Sequence, residues 1–487
     1  MKILVVAFCF IVLPLVLLLL AIQPAHARDL PAPSSEAKFY RDLQFPPLAE
    51  VKVPKYDRFV LPNGLIVYLM EDRDLPLISG TLLMHGGDRY DKPSQTGLGS
   101  LAGDLLRAGG TKLHTADQLN GILEQKAAMI ESGVDSNSVS VSFRGLRFDF
   151  PELFSLFAEV VQKPAFDPNQ LELLKLQSRG GIERRNDDPG SIASRELNKL
   201  IYGATSPYAS QIEYKTIAAI DRPSIEAFYR RWVVPKGNIL GIYGDFDATQ
   251  VRTEIEAKFG QWSPTAEPAP AVAEVKQQQI GGVFFVDQPQ LNQSQVQIGH
   301  LGGKSDSPDY PALSVMDEVL NGFGARLFNE VRSRQGLAYS VYASWSPGED
   351  YPGMFLAGGE TRSAATVPLI RSVRREIDRI RQEPISEVEL TAAKDTVLNA
   401  FVFQFQSPVQ TLSRLIQYEF LGYPADFLQR YRARVEATTV ADVLRVAQTY
   451  LQPDRLVTLV VGNRSQIKPG LAELGRVKTL DIMIPQP

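Results

Sequence analysis

Residues 97–110, GLGSLAGDLLRAGG, have the spacing of a catalytic helix but few of the groups that catalysis needs. The leucines form an apolar stripe and the closing glycines supply a stop, so the segment predicts a short helix. Ser100 and Asp104 lie four residues apart on one face of this helix, with Gly103 beside them. A zinc helix would carry two histidines at that spacing and a glutamate next to the second. This helix holds none of them.

The rest of the chain offers little replacement chemistry. Beyond residue 27 the histidines are His85, His114 and His300, and no two are spaced for one face of a helix. His85 and His300 adjoin matching Gly-Gly pairs, so we expect them at equivalent strand ends, and we interpret all three histidines as exposed or capped by a hydrogen-bonding partner. The single cysteine is Cys9, which excludes disulfides and cysteine-bound metals from the remainder of the chain.

The overall composition is that of a globular protein. The chain has 487 residues, of which 44% are hydrophobic and 22% charged, enough for two to four ordinary domains with a substantial core. Its formal net charge is −4, and no strong basic run is present. Nucleic acid is therefore excluded as a partner, because binding to phosphates needs clustered lysine and arginine.

The N-terminus predicts export. Residues 1–27 carry an early lysine, a long apolar run and an Ala-His-Ala site, which is the pattern of a signal peptide cleaved after Ala27. An uncleaved membrane anchor formed by residues 3–22 is the alternative, since that run is about long enough to span a bilayer. Either reading places the chain in the periplasm or another extracytoplasmic space. Residues 28–56 follow as an extended, proline-rich segment.

Three landmarks recur along the chain at almost the same separation, which indicates an internal repeat. We predict two homologous halves, residues 57–262 and 280–487, joined by a proline-rich surface linker at 263–279. The paired landmarks are Gly86 with Gly302, Gly203 with Gly422, and Pro235 with Pro453.

Each half mixes strand and helix patterns. Apolar and polar residues alternate in LIVYLMED and LISGTLLMHGG as they do in adjacent strands. The same alternation in SVSVSFRGL, residues 138–146, predicts a strand with one solvent-exposed face. SIEAFYRRW and TVADVLRVAQTYL are amphipathic helices for which Ser224 and Thr439 are the expected N-caps. The predicted class is α+β, with helices packed on a mostly antiparallel sheet in each half.

Three segments resemble the pitrilysin (M16) zinc peptidases, whose relatives include mitochondrial processing peptidase and the core proteins of the bc1 complex. They are LPNGLIVYLMED at 61–72, GLGSLAGDLLRAGGT at 97–111 and LFNEVRSRQGLAYSVYA at 327–343. The resemblance covers about residues 57–465 and implies the fold of mitochondrial processing peptidase, a LuxS-like metallohydrolase fold.

The resemblance also implies that the zinc site is lost. Active members carry His-x-x-Glu-His, whose histidines bind zinc and whose glutamate is the general base, together with a downstream glutamate ligand. Ser100 and Asp104 stand at the histidine positions, Gly103 at the base and Gly181 at the downstream ligand. We therefore expect no metal and no catalytic residue in this chain.

The third segment is intact. Arg332 and Tyr339 match the arginine and tyrosine that bind the substrate main chain in the family, although Arg334 is an alternative to Arg332. The pair can converge if the chain turns at Gln335-Gly336 between a helix and a strand. Without the resemblance, the two residues would be read as a surface arginine and a core aromatic.

Together these observations predict a non-catalytic, substrate-binding subunit of an exported heterodimeric peptidase. Its partner would be an M16-type subunit that bears His-x-x-Glu-His and the zinc, and the substrate would be a peptide. The strand at 138–146 and its neighbours either line a chamber and pair with that peptide, or this strand is an ordinary interior or edge strand. The alternative function is a structural or assembly protein of core-protein type; an independent peptidase with a rebuilt metal site is disfavoured by the few histidines.

Overall fold

The computed structural model describes residues 53–263, 270–271 and 274–486. The predicted signal peptide, residues 1–27, and most of the N-terminal segment lie outside these residues. Both halves belong to one structural unit, residues 51–487. Within the described part of the chain, no helix is both long enough and apolar enough to cross a membrane.

The first half is built on a six-stranded sheet. Its strands are β1 (Asp57–Val60), β2 (Ile66–Glu71), β3 (Leu77–His85), β4 (Met129–Val134), β5 (Ser138–Leu146) and β6 (Ile239–Gly244). They lie in the order β1-β2-β6-β3-β5-β4, and every neighbouring pair is antiparallel except β2 with β6.

The second half repeats this arrangement. Its strands are β7 (Val283–Asp287), β8 (Gln293–Leu301), β9 (Ala338–Ser346), β10 (Met354–Arg362), β11 (Val457–Gly462) and β12 (Val477–Thr479). Their order is β12-β7-β11-β8-β10-β9, so five consecutive strands match five of the first sheet. The predicted two-halved α+β fold is thereby confirmed. The halves differ at the outermost strand, which is β1 in one sheet and β12 in the other.

Helices connect the strands in both halves. Those of the first half are α1 (Leu98–Ala108), α2 (Ala116–Gln125), α3 (Phe150–Gln162), α4 (Pro168–Glu183), α5 (Pro189–Tyr202), α6 (Tyr214–Ala218), α7 (Arg222–Trp232) and α8 (Ala248–Phe259). Those of the second are α9 (Tyr310–Asn321), α10 (Thr366–Gln382), α11 (Glu387–Phe403), α12 (Pro408–Phe420), α13 (Phe427–Ala437) and α14 (Val440–Tyr450). A π-helical segment, Phe328–Arg334, precedes β9.

Two local predictions are wrong. Strands β2 and β3 are consecutive in sequence but not adjacent in space, because β6 lies between them. Alternation along a strand identifies its buried face and carries no information about its neighbours. The N-cap of α7 is Asp221, and Ser224 is the reciprocal partner in its capping box. Thr439 caps α14 as predicted.

Each sheet buries one face under helices of its own half. In the first half Phe143 of β5 packs against Phe154 and Phe157 of α3, with ring centres 5.8 and 4.9 Å away. Phe259 of α8 packs against the same two rings of α3, at 5.6 and 5.9 Å. The second core is formed by β8, β10, α9, α10 and α14 in the same way. The first core holds α1, which carries Ser100 and Asp104, and the second core holds β9, which carries Tyr339.

The opposite face of each sheet is covered by a helix from the other half. Ile201 of α5 packs with Leu459 of the second sheet, and Leu412 and Phe420 of α12 pack with Met70 of the first. Helices α5 and α12 are themselves one of the repeated landmarks. The halves therefore exchange homologous helices, and separating them would expose apolar surface on both sheets.

The predicted linker is partly anchored. Gln278 and Gln279 donate backbone hydrogen bonds to the end of α5, and the buried side chain of Gln277 donates to the Arg455 carbonyl oxygen at 2.8 Å. Its last residues therefore fasten the two halves together instead of running free over the surface.

Candidate functional site

The helix that should carry zinc ligands is formed as predicted. It follows Gly97, which has a φ of +99°, and ends against Gly109. The carboxylate of Asp91 accepts hydrogen bonds from the backbone N–H groups of Gly97 at 2.9 Å and Gly99 at 3.0 Å, which satisfies the helix N-terminus. Burial raises the pKa of Asp91 to about 7, against the opposing effect of these hydrogen bonds.

The general-base position is in backbone contact with the edge of the sheet. A Cβ atom on Gly103 would lie 2.7 Å from the Val134 nitrogen and 2.9 Å from the Gly133 carbonyl carbon. The hydroxyl of Ser132 also donates to the Gly103 carbonyl oxygen at 2.6 Å. A side chain at position 103 would therefore push β4 away from the helix, so a glutamate does not fit here.

Two of the predicted ligand positions meet in one cavity. Ser100 of α1 and Gly181 of α4 both line a cavity of about 520 Å³, as the resemblance implies. A Cβ atom on Gly181 would have no other described atom within 4 Å, so this position is open. Asp104 is not among the lining residues; it is exposed, and partial desolvation raises the pKa of its carboxyl.

These residues do not fit a catalytic zinc ion. Such an ion needs three nitrogen, oxygen or sulfur donors in addition to an open position. The neutral hydroxyl of Ser100 is a poor ligand, Gly103 and Gly181 have no side chain, and Asp104 alone is insufficient. Within the described ranges, no three histidine, cysteine, aspartate or glutamate side chains are grouped so that they could hold a metal ion.

The histidines have structural partners. The ring of His85 stacks on Phe420 with centres 4.0 Å apart, and Nδ1 of His114 pairs with the Glu159 carboxylate at 2.9 Å. Both ring nitrogens of His300 pair with backbone groups, and burial lowers its pKa to about 4. His85 ends β3 and His300 is the penultimate residue of β8, at equivalent ends of the two sheets.

The second-half segment brings Arg332 and Tyr339 into contact. The π-helical segment ends at Arg334, and the chain turns at Gly336, which has a φ of +59°. The backbone N–H of Leu337 then donates to the Val331 carbonyl oxygen at 3.0 Å, and β9 begins. The Arg332 guanidinium carbon lies 4.5 Å from the centre of the Tyr339 ring. The turn joins a helical segment to a strand, as predicted.

Arg332 is held by stacking on two aromatic rings. Besides the contact with Tyr339, its guanidinium carbon lies 4.8 Å from the centre of the Phe328 ring. Among the described residues, no acceptor takes a hydrogen bond from the Arg332 side chain. Tyr339 is 81% exposed, which excludes a core role for it. Arg334 instead donates to Glu330 at 3.0 Å.

The two candidate sites are separate within this chain. Neither Arg332 nor Tyr339 lines the cavity that contains Ser100. The loop between β9 and β10 reaches that cavity instead: Tyr351 stacks on Tyr208 with ring centres 3.7 Å apart. This contact was not predicted, because a Gly- and Pro-rich loop signals a turn and not the surface on which it docks.

The strand at 138–146 is an interior strand. It is β5, which pairs with β3 on one side and β4 on the other. Pairing with a peptide is therefore wrong for this strand, since its backbone groups are already used. The edge strand on this side of the sheet is β4, where Arg107 of α1 donates to the Ile130 carbonyl oxygen at 3.1 Å.

Models of known protein families match segments in both halves of the chain. Residues 72–210 match the family described as Insulinase (Peptidase family M16), and residues 219–397 match the Peptidase M16 inactive domain. The chain belongs to the M16 peptidase family. Among curated relatives, it is 22% identical to the non-peptidase homolog YmxG of Helicobacter pylori over 407 residues, 82% of this chain and 92% of the relative. It is also 22% identical to an uncharacterized zinc protease of Streptomyces coelicolor over 427 residues, 86% of this chain and 92% of the relative.

Solved M16 structures share the fold. A peptidase M16 inactive domain from Pseudomonas fluorescens superposes with a TM-score of 0.73 and 25% identity, covering 84% of this chain and 98% of that one. The periplasmic protease PqqL from Escherichia coli superposes with a TM-score of 0.71 and 16% identity, covering 91% of this M16 chain and 49% of PqqL. The second likeness concerns the fold alone.

Proposed function

We propose that this M16 chain is the non-catalytic, substrate-binding subunit of an exported heterodimeric zinc metallopeptidase. Arg332 and Tyr339 would complete the site of a partner that bears His-x-x-Glu-His and the metal. The observation that carries the proposal is the stacked, exposed Arg332–Tyr339 pair, whose donors are available. The first half, by contrast, lacks a sufficient set of ligands at the zinc positions, where Asp104 alone carries a charged side chain.

The geometry of the pair suits an extended peptide. Stacking between Phe328 and Tyr339 restricts the guanidinium plane of Arg332, so less rotamer entropy is lost when its N–H groups bind a carbonyl oxygen. The phenol of Tyr339 can donate to the oxyanion that develops at a scissile carbonyl. In this chain both groups would bind and orient the substrate.

Export rests on the predicted signal peptide, residues 1–27, and is supported by the likeness in fold to a protein whose name describes it as a periplasmic protease. A mature chain that begins at Arg28, read by N-terminal sequencing of the extracytoplasmic fraction, is the expected result. A chain that retains Met1 in the membrane fraction would instead support the anchor at residues 3–22.

Reconstitution tests the function. The purified mature chain should hold no stoichiometric zinc and cleave no peptide, and mixing it with the catalytic subunit should produce cleavage. In that mixture Tyr339→Phe should lower kcat roughly a hundredfold, the typical effect of removing one oxyanion donor. Arg332→Ala should lower kcat/KM by roughly tenfold or more, as expected for a charge-assisted hydrogen bond.

The matched control is Arg334→Ala, which removes a neighbouring exposed arginine that is already paired with Glu330. Its rate should stay close to that of the wild type. Full activity of the Arg332→Ala and Tyr339→Phe mixtures would refute the proposed role. Purification of the native chain in a stable complex that contains no metallopeptidase would favour the structural or assembly function.

A further inference from the structure

Tyr339 occupies a β-bulge. Ser340 of β9 pairs with Glu360 of β10, whereas Thr361, the next residue of β10, pairs with Ala338. The register skips Tyr339, which is therefore an extra residue of β9. A bulge of this kind disturbs the regular alternation of a strand and re-aims a side chain, often next to a functional site.

The bulge is the reason that the tyrosine is exposed. Ala343 and Trp345 lie two residues apart on β9, and both are buried in the core of the second half. Regular alternation would place residue 339 on that same buried face. The extra residue brings Ala338 into the core instead and leaves Tyr339 81% exposed against the guanidinium of Arg332. The contact within the pair therefore depends on the bulge.

A buried threonine holds the chain at the start of the bulged strand. Thr361 is 2% exposed, and its hydroxyl donates to the Leu337 carbonyl oxygen at 2.5 Å. The side chain of Arg362 donates to the Gly336 carbonyl oxygen at 3.3 Å. Two neighbouring residues of β10 thus hold two successive carbonyl groups of the chain that leads into β9.

A buried serine holds the helical side of the same turn. Ser372 is 1% exposed and lies on the face of α10 that is otherwise mostly apolar. Its hydroxyl oxygen accepts a hydrogen bond from the side-chain amide of Gln335 at 2.8 Å, and that amide also donates to the Glu330 carboxylate at 2.9 Å. Gln335 is thereby tied both to α10 and to the π-helical segment that carries Arg332.

Burying a hydroxyl group is unfavourable unless it is hydrogen-bonded, and both of these hydroxyls bond to the turn between Arg332 and Tyr339. We infer that Thr361 and Ser372 are positioning residues, which act on the substrate only by keeping Arg332 and Tyr339 in contact. Their effect on catalysis rests on the proposed function, whereas their effect on the geometry of the pair can be measured in the isolated chain.

Fluorine NMR of the full mature chain, with 3-fluorotyrosine incorporated at position 339, measures that geometry. The charge of Arg332 beside the ring influences the fluorine resonance, so the Arg332→Ala variant marks the resonance of a separated pair. Thr361→Val removes the hydroxyl but keeps the branched shape, and it should move the resonance toward that position. Ser372→Ala should move it in the same direction.

Two controls distinguish positioning from a general loss of packing. Thr361→Ser keeps the hydroxyl and should leave the resonance close to that of the wild type. Thr458→Val changes another buried strand threonine of the second half, whose hydroxyl contacts Arg374 instead of the turn, and it should have no effect on the resonance.

The reconstituted mixture with the catalytic subunit gives the second readout. Thr361→Val should lower kcat tenfold or more, since small misplacements of a positioned group have effects of about this size or larger. KM should change by less than about twofold, because the bulge aims Tyr339 and the phenol would act on the oxyanion. Thr361→Ser should restore kcat, and Thr458→Val should match the wild type.

Each result either supports the inference or overturns it. A wild-type resonance in both Thr361→Val and Ser372→Ala would overturn it, and a wild-type resonance in one of them would remove that residue from the assignment. An equal shift in Thr361→Val and Thr458→Val would also overturn it, because the effect would then be general. A shifted resonance with unchanged kcat would refute their role in the reaction. If the wild-type mixture cleaves no peptide, the proposed function fails, and the resonance still decides whether the two hydroxyls hold the pair.

Discussion

Adding a single methyl group at Gly103 is expected to destabilise the protein, although it replaces a glycine in the middle of a helix. The added Cβ would meet the Val134 nitrogen at 2.7 Å, the Val134 Cγ2 atom at 2.8 Å and the Gly133 carbonyl carbon at 2.9 Å. Two of these are backbone atoms of β4, whose residues 133 and 134 pair with Ser140 and Val139 of β5. They cannot withdraw without disturbing that pairing.

The magnitude follows from two opposing effects. Overpacking in a close-packed core costs about 1 to 3 kcal/mol, and contact with paired backbone puts Gly103→Ala near the upper end of that range. Alanine in place of glycine inside a helix returns about 1 kcal/mol. The net expectation is a loss of about 2 kcal/mol in the free energy of unfolding. Gly181→Ala, in a helix but with open space around it, should be neutral or slightly stabilising.

Urea denaturation followed by far-ultraviolet circular dichroism measures both variants against the wild type. A lower midpoint for Gly103→Ala and an unchanged or higher midpoint for Gly181→Ala would support the packing of α1 on β4. Equal stability of the two alanine variants would refute it. The result also bears on catalysis, because a general base cannot be restored at position 103 if alanine is already too large there.

Two further predictions concern titratable groups. Because burial lowers the pKa of His300 to about 4, the unfolded chain protonates first as pH falls, and the stability of the neutral ring is lost between about pH 6.5 and 4. The raised pKa values of Asp91 and Asp317 have the opposite effect on stability over this pH range. The difference between the urea midpoints of the wild type and His300→Gln isolates the contribution of the histidine. A difference that stays constant across the range would contradict the prediction. Glu419→Gln should cost about 1 kcal/mol at neutral pH, since it removes the ion pair with Arg58 between the halves, and a matching loss in the Arg58→Gln variant would show that the pair is responsible.

Local patterns predicted the elements that depend on local chemistry. The apolar stripe and glycine stop placed α1 within a residue of its observed end at Ala108, and the repeated landmarks predicted the two halves. Helix periodicity and capping depend on residues that are close together in the sequence, so a single sequence is enough to recognise them. The turn that joins Arg332 to Tyr339 was predictable for the same reason.

Long-range arrangement was not predictable in this way. The insertion of β6 between β2 and β3, the exchange of α5 and α12 between the halves and the docking of Tyr351 on Tyr208 join residues far apart in sequence. Their partners depend on apolar faces and strand edges that come together only in the folded chain, which the pattern of neighbouring residues does not record. The exposure of Phe323 was not predictable either, because in the sequence it resembles any other apolar residue.

Metal analysis of the chain, alone and in its complex, tests most directly whether this subunit lacks a zinc site of its own. Inductively coupled plasma mass spectrometry should find no stoichiometric zinc in the isolated chain after incubation with zinc and desalting. It should find one zinc ion per heterodimer in the complex, unaffected by Asp104→Ala and lost when the partner's histidine ligands are replaced. One zinc ion per isolated chain that disappears with Asp104→Ala would contradict the proposal that the metal resides on the partner.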